Sequence, residues 1–150
     1  MTIEAIQEEL IDEFAMFDDW MQRYEYMIEL GKTLPLIEEK FKTDNKLIKG
    51  CQSKVWLHSE LKDGKIQFTA DSDAIITKGI VAILVRTFTD QTPDAILDAK
   101  LDFIDEIGLK EHLSPTRKIR LESDSLQRRH EHALRGGYLR GNLERSRKIF

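Results

Sequence analysis

The single cysteine of this 150-residue chain, Cys51, is the residue whose type points most directly to chemistry. One thiol cannot form an internal disulfide, and it cannot supply the several thiolates of a structural zinc or iron-sulfur site. A thiolate attacks sulfur far better than a thiol does, and free cysteine has a pKa of ~8.5. Activation therefore requires positive charge, for which Lys49 and Lys54 are nearby, or amide donors, or groups of a partner. Any chemistry of Cys51 involves a second molecule.

The residues beside Cys51 allow several interpretations. Gly50 removes side-chain bulk just before the thiol, which would help the active site of a partner to approach. Gln52 and Ser53 either donate hydrogen bonds near the sulfur or satisfy their own turn. Taken alone, a single cysteine at a strand edge is more often a small buried hydrophobic residue. A thiol that reduces peroxide through a sulfenic acid is a further alternative.

The histidines and tryptophans have simpler structural interpretations. His58 is at a strand position that alternates with apolar neighbours, so we expect it to face solvent rather than act as a base. His130 and His132 are two residues apart in a basic segment, which is a weak pattern for a metal site. Trp20 and Trp56 are expected to be packing anchors. We therefore predict no metal site.

The composition predicts a soluble, globular chain with an acidic body. Hydrophobic residues make up 41% of the chain, which is too many for a disordered protein. Charged residues make up 33%, which is too many for a membrane protein. The longest apolar run, 80–85, is far shorter than the ~20 residues of a bilayer span. The acidic N-terminus lacks the pattern of a secretory signal, so we expect a cytoplasmic protein.

The charge is distributed unevenly. Residues 1–118 hold 15 Lys and Arg against 23 Asp and Glu, whereas residues 119–150 hold 8 against 4. The body is therefore −8, which argues against a nucleic-acid partner for the main domain, and the tail is +4, a charge that suits contact with phosphate or with an acidic partner. We expect that tail to be solvated and mobile, as chain ends usually are.

Hydrophobic spacing predicts two helices, a long loop and a hairpin. Apolar residues recur every three or four positions over 3–17 and again from Trp20, after helix-capping residues at Thr2 and Asp18-Asp19. The periodicity fades over 33–50, which predicts a loop that delivers the chain to Cys51. Alternating apolar residues on both sides of Asp63-Gly64 predict an antiparallel β-hairpin.

More helices are predicted after the hairpin. Residues 71–73 (Asp-Ser-Asp) are expected to cap a helix in which Gly79 marks close packing. Thr92-Pro93 begins a short helix, and the apolar residues of 103–109 indicate another that ends or kinks near Gly108. A terminal helix is predicted from Thr116, with an interruption at residues 135–137 (Arg-Gly-Gly). Helices before and after a small antiparallel sheet describe an α+β domain.

Several segments, in their order and spacing, resemble the SufE family. They are 17–21 (FDDWM), 24–32 (YEYMIELGK), 34–35 (LP), 50–56 (GCQSKVW), 70–74 (ADSDA), 78–79 (KG) and 112–117 (HLSPTR). The resemblance covers roughly residues 8–118, and its cysteine motif followed by Val-Trp is highly specific in this company. It implies a SufE/IscU-like fold, in which a small antiparallel sheet packs against several helices.

The resemblance also implies a sulfur acceptor that activates a cysteine desulfurase of the SufS or CsdA kind. The thiolate matching Cys51 would take the terminal sulfur of the desulfurase persulfide and relay it to an iron-sulfur scaffold. The pyridoxal phosphate belongs to the partner, so this chain would need no cofactor. A regulatory module that binds the desulfurase without carrying sulfur stays open, as does the choice between monomer and homodimer. An iron-sulfur scaffold would need more ligands than one cysteine.

The matched segments add tentative supporting residues to Cys51. They are Gly50, Gln52, Ser53, Asp71, Asp73 and Arg117, which either hold the Cys51 loop or meet the desulfurase. Helix capping explains the aspartates equally well, and a surface ion pair explains Arg117.

The chain departs from the family pattern near Lys118. We therefore predict a SufE-like domain over 1–118 and a divergent basic tail over 119–150, either poorly ordered or partly helical. Our hypothesis is that the tail is divergent or frame-shifted, because the apolar stripe of a regular terminal helix is lost there. Exposed apolar surface on the body would follow.

Overall fold

The computed structural model describes residues 1–107 and 113–149, with eight regular elements. They are α1 (Ile3–Ala15), α2 (Trp20–Gly31), β1 (Val55–Lys62), β2 (Lys65–Ser72), α3 (Ile75–Phe88), α4 (Pro93–Asp98), α5 (Asp102–Glu106) and α6 (Leu113–Ile149). Among these residues, no helix combines the length and the apolar character that a bilayer span requires. The predicted kink at Gly108 lies outside the described residues.

The two strands form the predicted hairpin. They pair antiparallel from Val55 opposite Ser72 to Lys62 opposite Lys65. Asp63 and Gly64 have φ values of 51° and 78°, so both central residues of the turn are left-handed, as a two-residue turn with the twist of a hairpin requires. The apolar face of the sheet is buried and belongs to a core that gathers residues from the whole domain. The α+β prediction is confirmed.

α3 is the central helix of this core, and it approaches α2 closely at a glycine. A Cβ on Gly79 would overlap the Met27 carbonyl oxygen and come within 2.6 Å of Met27 Cγ. The prediction that Gly79 marks close packing is confirmed. The predicted cap is wrong, because α3 starts after Ala74, whose side chain cannot accept a hydrogen bond from the helix.

The starts of α1, α2 and α4 are capped by the residues that the sequence indicates. Thr2 Oγ1 accepts from Ala5 N at 3.1 Å, Asp19 Oδ1 accepts from Gln22 N at 2.8 Å, and Thr92 Oγ1 accepts from Ala95 N at 3.2 Å. Each bond satisfies one of the amides that a helix start leaves unpaired.

The buried residues of α2 lie towards its C-terminal end. Its buried residues are Met27, Leu30 and Gly31, whereas Trp20 is 54% exposed and Tyr24 is 47% exposed. The expectation that Trp20 is a packing anchor is therefore wrong.

The long loop is attached to both strands of the hairpin. Ile37 N donates to Ala70 O at 3.0 Å, and Ala70 N donates to Pro35 O at 3.0 Å. Ile48 N donates to Val55 O at 2.8 Å, and Ile37 and Ile48 are both buried. Residues 39–41 and 44–46 form single 3₁₀ turns. The loop therefore has a fixed path to Cys51.

α6 differs from the predicted terminal helix in two ways. It begins at Leu113 rather than Thr116, and its backbone continues through residues 136–137, where an interruption was expected. Its early turns keep an apolar stripe, because Ile119 is in the core and Leu126 packs against it. The division of the chain at Lys118 stays a prediction.

Candidate functional site

Cys51 lies between the loop and β1, where it packs against the hydrophobic core and is half-buried. Burial raises the pKa of the Cys51 thiol above its ordinary value, because a buried thiolate loses hydration. Lys49 and Lys54 are both exposed, and the expected lowering of this pKa by positive charge is not observed. At neutral pH Cys51 is therefore a protonated thiol.

We call residues 50–54, which precede β1, the Cys51 turn. Its first residue, Gly50, contacts the start of α6. Its φ of +87° is in the left-handed region, which residues other than glycine rarely adopt. A Cβ there would also lie 2.8 Å from Ser114 Oγ. Both facts favour glycine at this position, and they place the residue before the thiol against the first turn of α6.

The residues after Cys51 are held by polar contacts with the end of β2 and with α3. Asp73 Oδ1 accepts from Lys54 N at 3.0 Å, and Lys54 O accepts from Ser72 Oγ at 2.9 Å. Ser53 Oγ lies 3.4 Å from Thr77 Oγ1. Asp73 and Ser53 thus hold the Cys51 turn, whereas Gln52 is exposed to solvent.

Asp71 of β2 lies opposite Trp56 of β1, and its carboxylate contacts two lysines. Lys42 Nζ is 3.0 Å from Asp71 Oδ2, and Lys78 Nζ is 3.4 Å from Oδ1. Burial raises the pKa of Asp71, but the hydrogen bonds from Lys42 and the Ser72 amide, together with the positive charges of Lys78 and Lys42, outweigh it, so the pKa lies below its ordinary value. Asp71 thus joins the long loop to the hairpin and α3 rather than capping a helix.

A cleft of about 680 Å³ borders the Cys51 turn between the loop and α6. Its lining includes Lys49 and Gly50 from the loop, and Ser114, Arg117 and Leu121 from α6. Two of the predicted site residues, Gly50 and Arg117, therefore share one cleft. Asp71 and Asp73 are not among its lining residues.

His58 and its partner Phe41 show what the sequence missed. The His58 ring stacks on Phe41, with centroids 3.9 Å apart and planes 9° from parallel. Its Nε2 lies 3.0 Å from Glu60 Oε1, and the side chain is only 13% exposed. The prediction of a solvent-facing residue is wrong because the loop covers this side of β1. The only signal for Phe41 was an apolar residue in a loop without periodicity.

The described residues hold no group of three His, Cys, Asp or Glu side chains that could bind a metal ion. His130 and His132 are both exposed on α6.

Comparison with known proteins identifies the family. A family model described as "SufE: Fe-S metabolism associated domain" matches residues 8–125. The chain belongs to the SufE family. The match includes the Cys51 turn and extends into α6, a few residues beyond the span of the resemblance in the sequence.

Two relatives agree with this assignment. An uncharacterised SufE-like protein of Rhizobium meliloti (strain 1021) is 42% identical, over 77% of this chain and 86% of its own. Another, from Rhizobium etli, is 39% identical over 79% of this chain and 84% of its own. The solution structure of a hypothetical protein from Thermus thermophilus covers 86% of this chain and 96% of its own, with a TM-score of 0.59. Its 20% identity shows similarity of fold alone.

Proposed function

We propose that Cys51 accepts sulfur as a persulfide from a pyridoxal-phosphate cysteine desulfurase of the SufS or CsdA kind and relays it to an iron-sulfur scaffold. Membership of a family of iron-sulfur metabolism supports a sulfur-acceptor role in general, and a desulfurase is the partner which that family implies. In this proposal the transfer takes place in the cytoplasm, and the pyridoxal phosphate stays with the desulfurase.

The transfer is a thiol exchange at sulfur. Cys51 loses its proton, and its thiolate attacks the terminal sulfur of the desulfurase persulfide. The sulfur-sulfur bond in the desulfurase breaks, its cysteine leaves as a thiolate that takes up a proton, and a new sulfur-sulfur bond joins Cys51 to the transferred sulfur. The exchange consumes one thiol and one persulfide and forms one thiol and one persulfide, so it needs no external oxidant or reductant.

The observation that carries the proposal is the half-buried thiol with a raised pKa. A thiol in this state reacts slowly with small oxidants, since the thiolate is the nucleophile. A peroxide-reducing enzyme needs the opposite, a thiolate formed by its own site. In a sulfur carrier, by contrast, a thiol that only its partner activates is an advantage, because the thiol then reacts only when it is bound to the desulfurase.

The residues around the turn have positioning roles in this proposal. Asp73 and Ser53 hold the segment after the thiol, and Gly50 fits it against α6. Gln52 and Arg117, both exposed, are available to meet the desulfurase, and Asp71 fixes the loop through Lys42. These contacts keep Cys51 partly sheltered until docking rearranges the turn.

The test is the intact mass of the protein after incubation with an active desulfurase and cysteine. We expect the mass to increase by one or more sulfur atoms that map to Cys51 and are lost on reduction. Cys51→Ser should show no gain, and it should leave the desulfurase at its unstimulated rate. Asp98→Ala is the control, because it removes an exposed polar side chain at the end of α4, outside the turn, and keeps the thiol.

Two results would contradict the proposal. If wild-type protein gains no sulfur while the desulfurase is active, Cys51 is not a carrier. If Cys51→Ser still stimulates the desulfurase fully, the protein is a regulatory module that does not carry sulfur.

A further inference from the structure

Three large apolar side chains at the start of α2 form an exposed surface, which we call the α2 patch. Trp20 is 54% exposed, Met21 is 72% exposed and Tyr24 is 47% exposed, and the Trp20 and Tyr24 ring centroids are 6.1 Å apart. Residues 18–29 contain four carboxylates and one arginine, so the patch lies in acidic surroundings. Adjacent exposed aromatic and methionine side chains are typical of interaction surfaces.

The second half of α6, residues 128–149, carries the opposite charge, and we call it the α6 extension. It contains seven Lys and Arg against two Asp and Glu, a net charge of +5. Residues 128–135 are all exposed. The preceding residue, Gln127, still contacts the body, where Nε2 donates to Asp94 Oδ1 at 2.9 Å. From residue 128 to 135 the helix therefore runs in solvent.

A helix of this composition needs a packing partner. Glycine is the weakest helix former apart from proline, and the extension includes Gly136, Gly137 and Gly141. Most helices in proteins obtain their stability from a packed face rather than from intrinsic propensity. Residues 128–135 have no such packing within the described part of their own chain, since all are exposed.

We propose that the α6 extension of one copy binds the α2 patch of a second copy, and that the second copy returns the same contact. Within one chain residues 128–135 and the α2 patch are both exposed, so they do not cover each other. A two-fold dimer satisfies both surfaces of both copies and closes the assembly.

Charge and side-chain chemistry match across this contact. Residues 1–127 have a net charge of −9, against +5 for the extension. Arginine stacks well on aromatic faces, and Arg23 already lies 5.5 Å from the Trp20 ring centroid, so a guanidinium fits this ring. The exposed Leu134 provides an apolar contact for the patch. A nucleic acid fits less well, because the acidic body would repel its phosphates.

The test is sedimentation velocity of the full chain over a range of protein and salt concentrations. We expect a dimer at low salt whose dissociation constant rises with salt. The triple variant Arg128→Glu/Arg129→Glu/Arg135→Glu should raise that constant at least about tenfold, because it reverses three charges at the contact. The matched control Lys40→Glu/Lys62→Glu/Lys65→Glu makes the same charge change on exposed lysines elsewhere and should leave the constant unchanged. Circular dichroism verifies that each variant is folded.

A charge exchange makes the test specific. The double variant Asp18→Arg/Glu25→Arg reverses the charge of the patch and should dimerise at least about tenfold more weakly than wild type when alone, as should the triple variant of the extension. An equimolar mixture of the two should recover a dimer. The proposal is overturned if wild-type protein is monomeric at every concentration tested, or if the substitutions leave its dissociation constant unchanged. It is also overturned if the extension instead binds a short DNA duplex and this binding depends on the same arginines. Persulfide transfer to Cys51 is measured separately, so failure of this dimer leaves the sulfur-acceptor proposal intact.

Discussion

The first strand and the turn just before it are neighbours in sequence but are held by different forces. In β1, Val55 and Leu57 are completely buried and contribute to the hydrophobic core. In the turn, Cys51 is half-buried, and the following residues are held by a few hydrogen bonds, such as those of Lys54 with Asp73 and Ser72. Burying a Leu or Val stabilises a fold by about 1.5–3 kcal/mol, against about 1 kcal/mol for one hydrogen bond. The turn can therefore rearrange while the hairpin stays folded.

The largest expected effect is on the core side of this comparison. Gly79→Ala places a methyl group against the Met27 backbone and should lower the free energy of unfolding by about 3 kcal/mol, because α2 and α3 must separate. Urea denaturation measures it. The control Gly64→Ala meets no atom within 4 Å and is strained only by its φ of +78°, so it should cost about 1 kcal/mol. If both substitutions lower the free energy of unfolding by the same amount, the short distance between Gly79 and Met27 does not restrict the packing of α2 on α3.

An ion pair between α1 and α3 should give the next largest effect, and it depends on pH. Arg86 donates to both carboxylate oxygens of Glu13 at 2.8 Å, and these bonds hold the pKa of Glu13 below its ordinary value of 4.5. Because the folded-state pKa is depressed, the stabilisation is complete above the unfolded pKa and is lost as pH falls through the folded one.

The variant Glu13→Gln tests this pair. It should be less stable than wild type by about 1–2 kcal/mol at neutral pH, and the difference should shrink below about pH 4. Urea midpoints of both proteins from neutral to acid pH measure it. A difference that stays constant down to strongly acid pH would contradict the ion-pair explanation.

The smallest effect on stability is expected in the turn, where the effect on Cys51 reactivity should be clear. Asp73→Ala removes the acceptor of Lys54 N and should change the free energy of unfolding by less than about 1 kcal/mol. It should raise the rate of Cys51 alkylation by iodoacetamide about fivefold, because the turn opens more often. Asp98→Ala, another exposed aspartate at the end of α4, is the control. An unchanged rate would mean that Asp73 does not restrain the thiol.

The parts of the fold that could be predicted from the sequence are those decided by local interactions. The hairpin follows from alternation around Asp63-Gly64, and the starts of α1 and α4 follow from Thr2 and Thr92, each bonded to an amide three residues ahead. The close approach at Gly79 was also predictable, because a glycine weakens an apolar helix and is favoured there mainly where a neighbouring backbone comes close.

The errors come from contacts between residues far apart in the chain. Asp73 is a good capping residue, but the amide of Lys54, 19 residues away, takes its carboxylate. His58 alternates like a solvent-facing residue, yet Phe41 from the loop covers it. Cys51 could be singled out because it is the only cysteine, whereas its raised pKa depends on a core that forms around it only in the folded chain.

The position of Ile119 has a consequence for how this protein is synthesised. Ile119 of α6 shares one hydrophobic core with Ile3 of α1, two residues that are separated by most of the chain. During translation that core stays incomplete until α6 has left the ribosome. Until then the apolar face of the hairpin is only partly covered, and exposed apolar surface and strand edges favour aggregation. Ribosomes that stall before residue 119 would therefore release nascent chains that depend on chaperones.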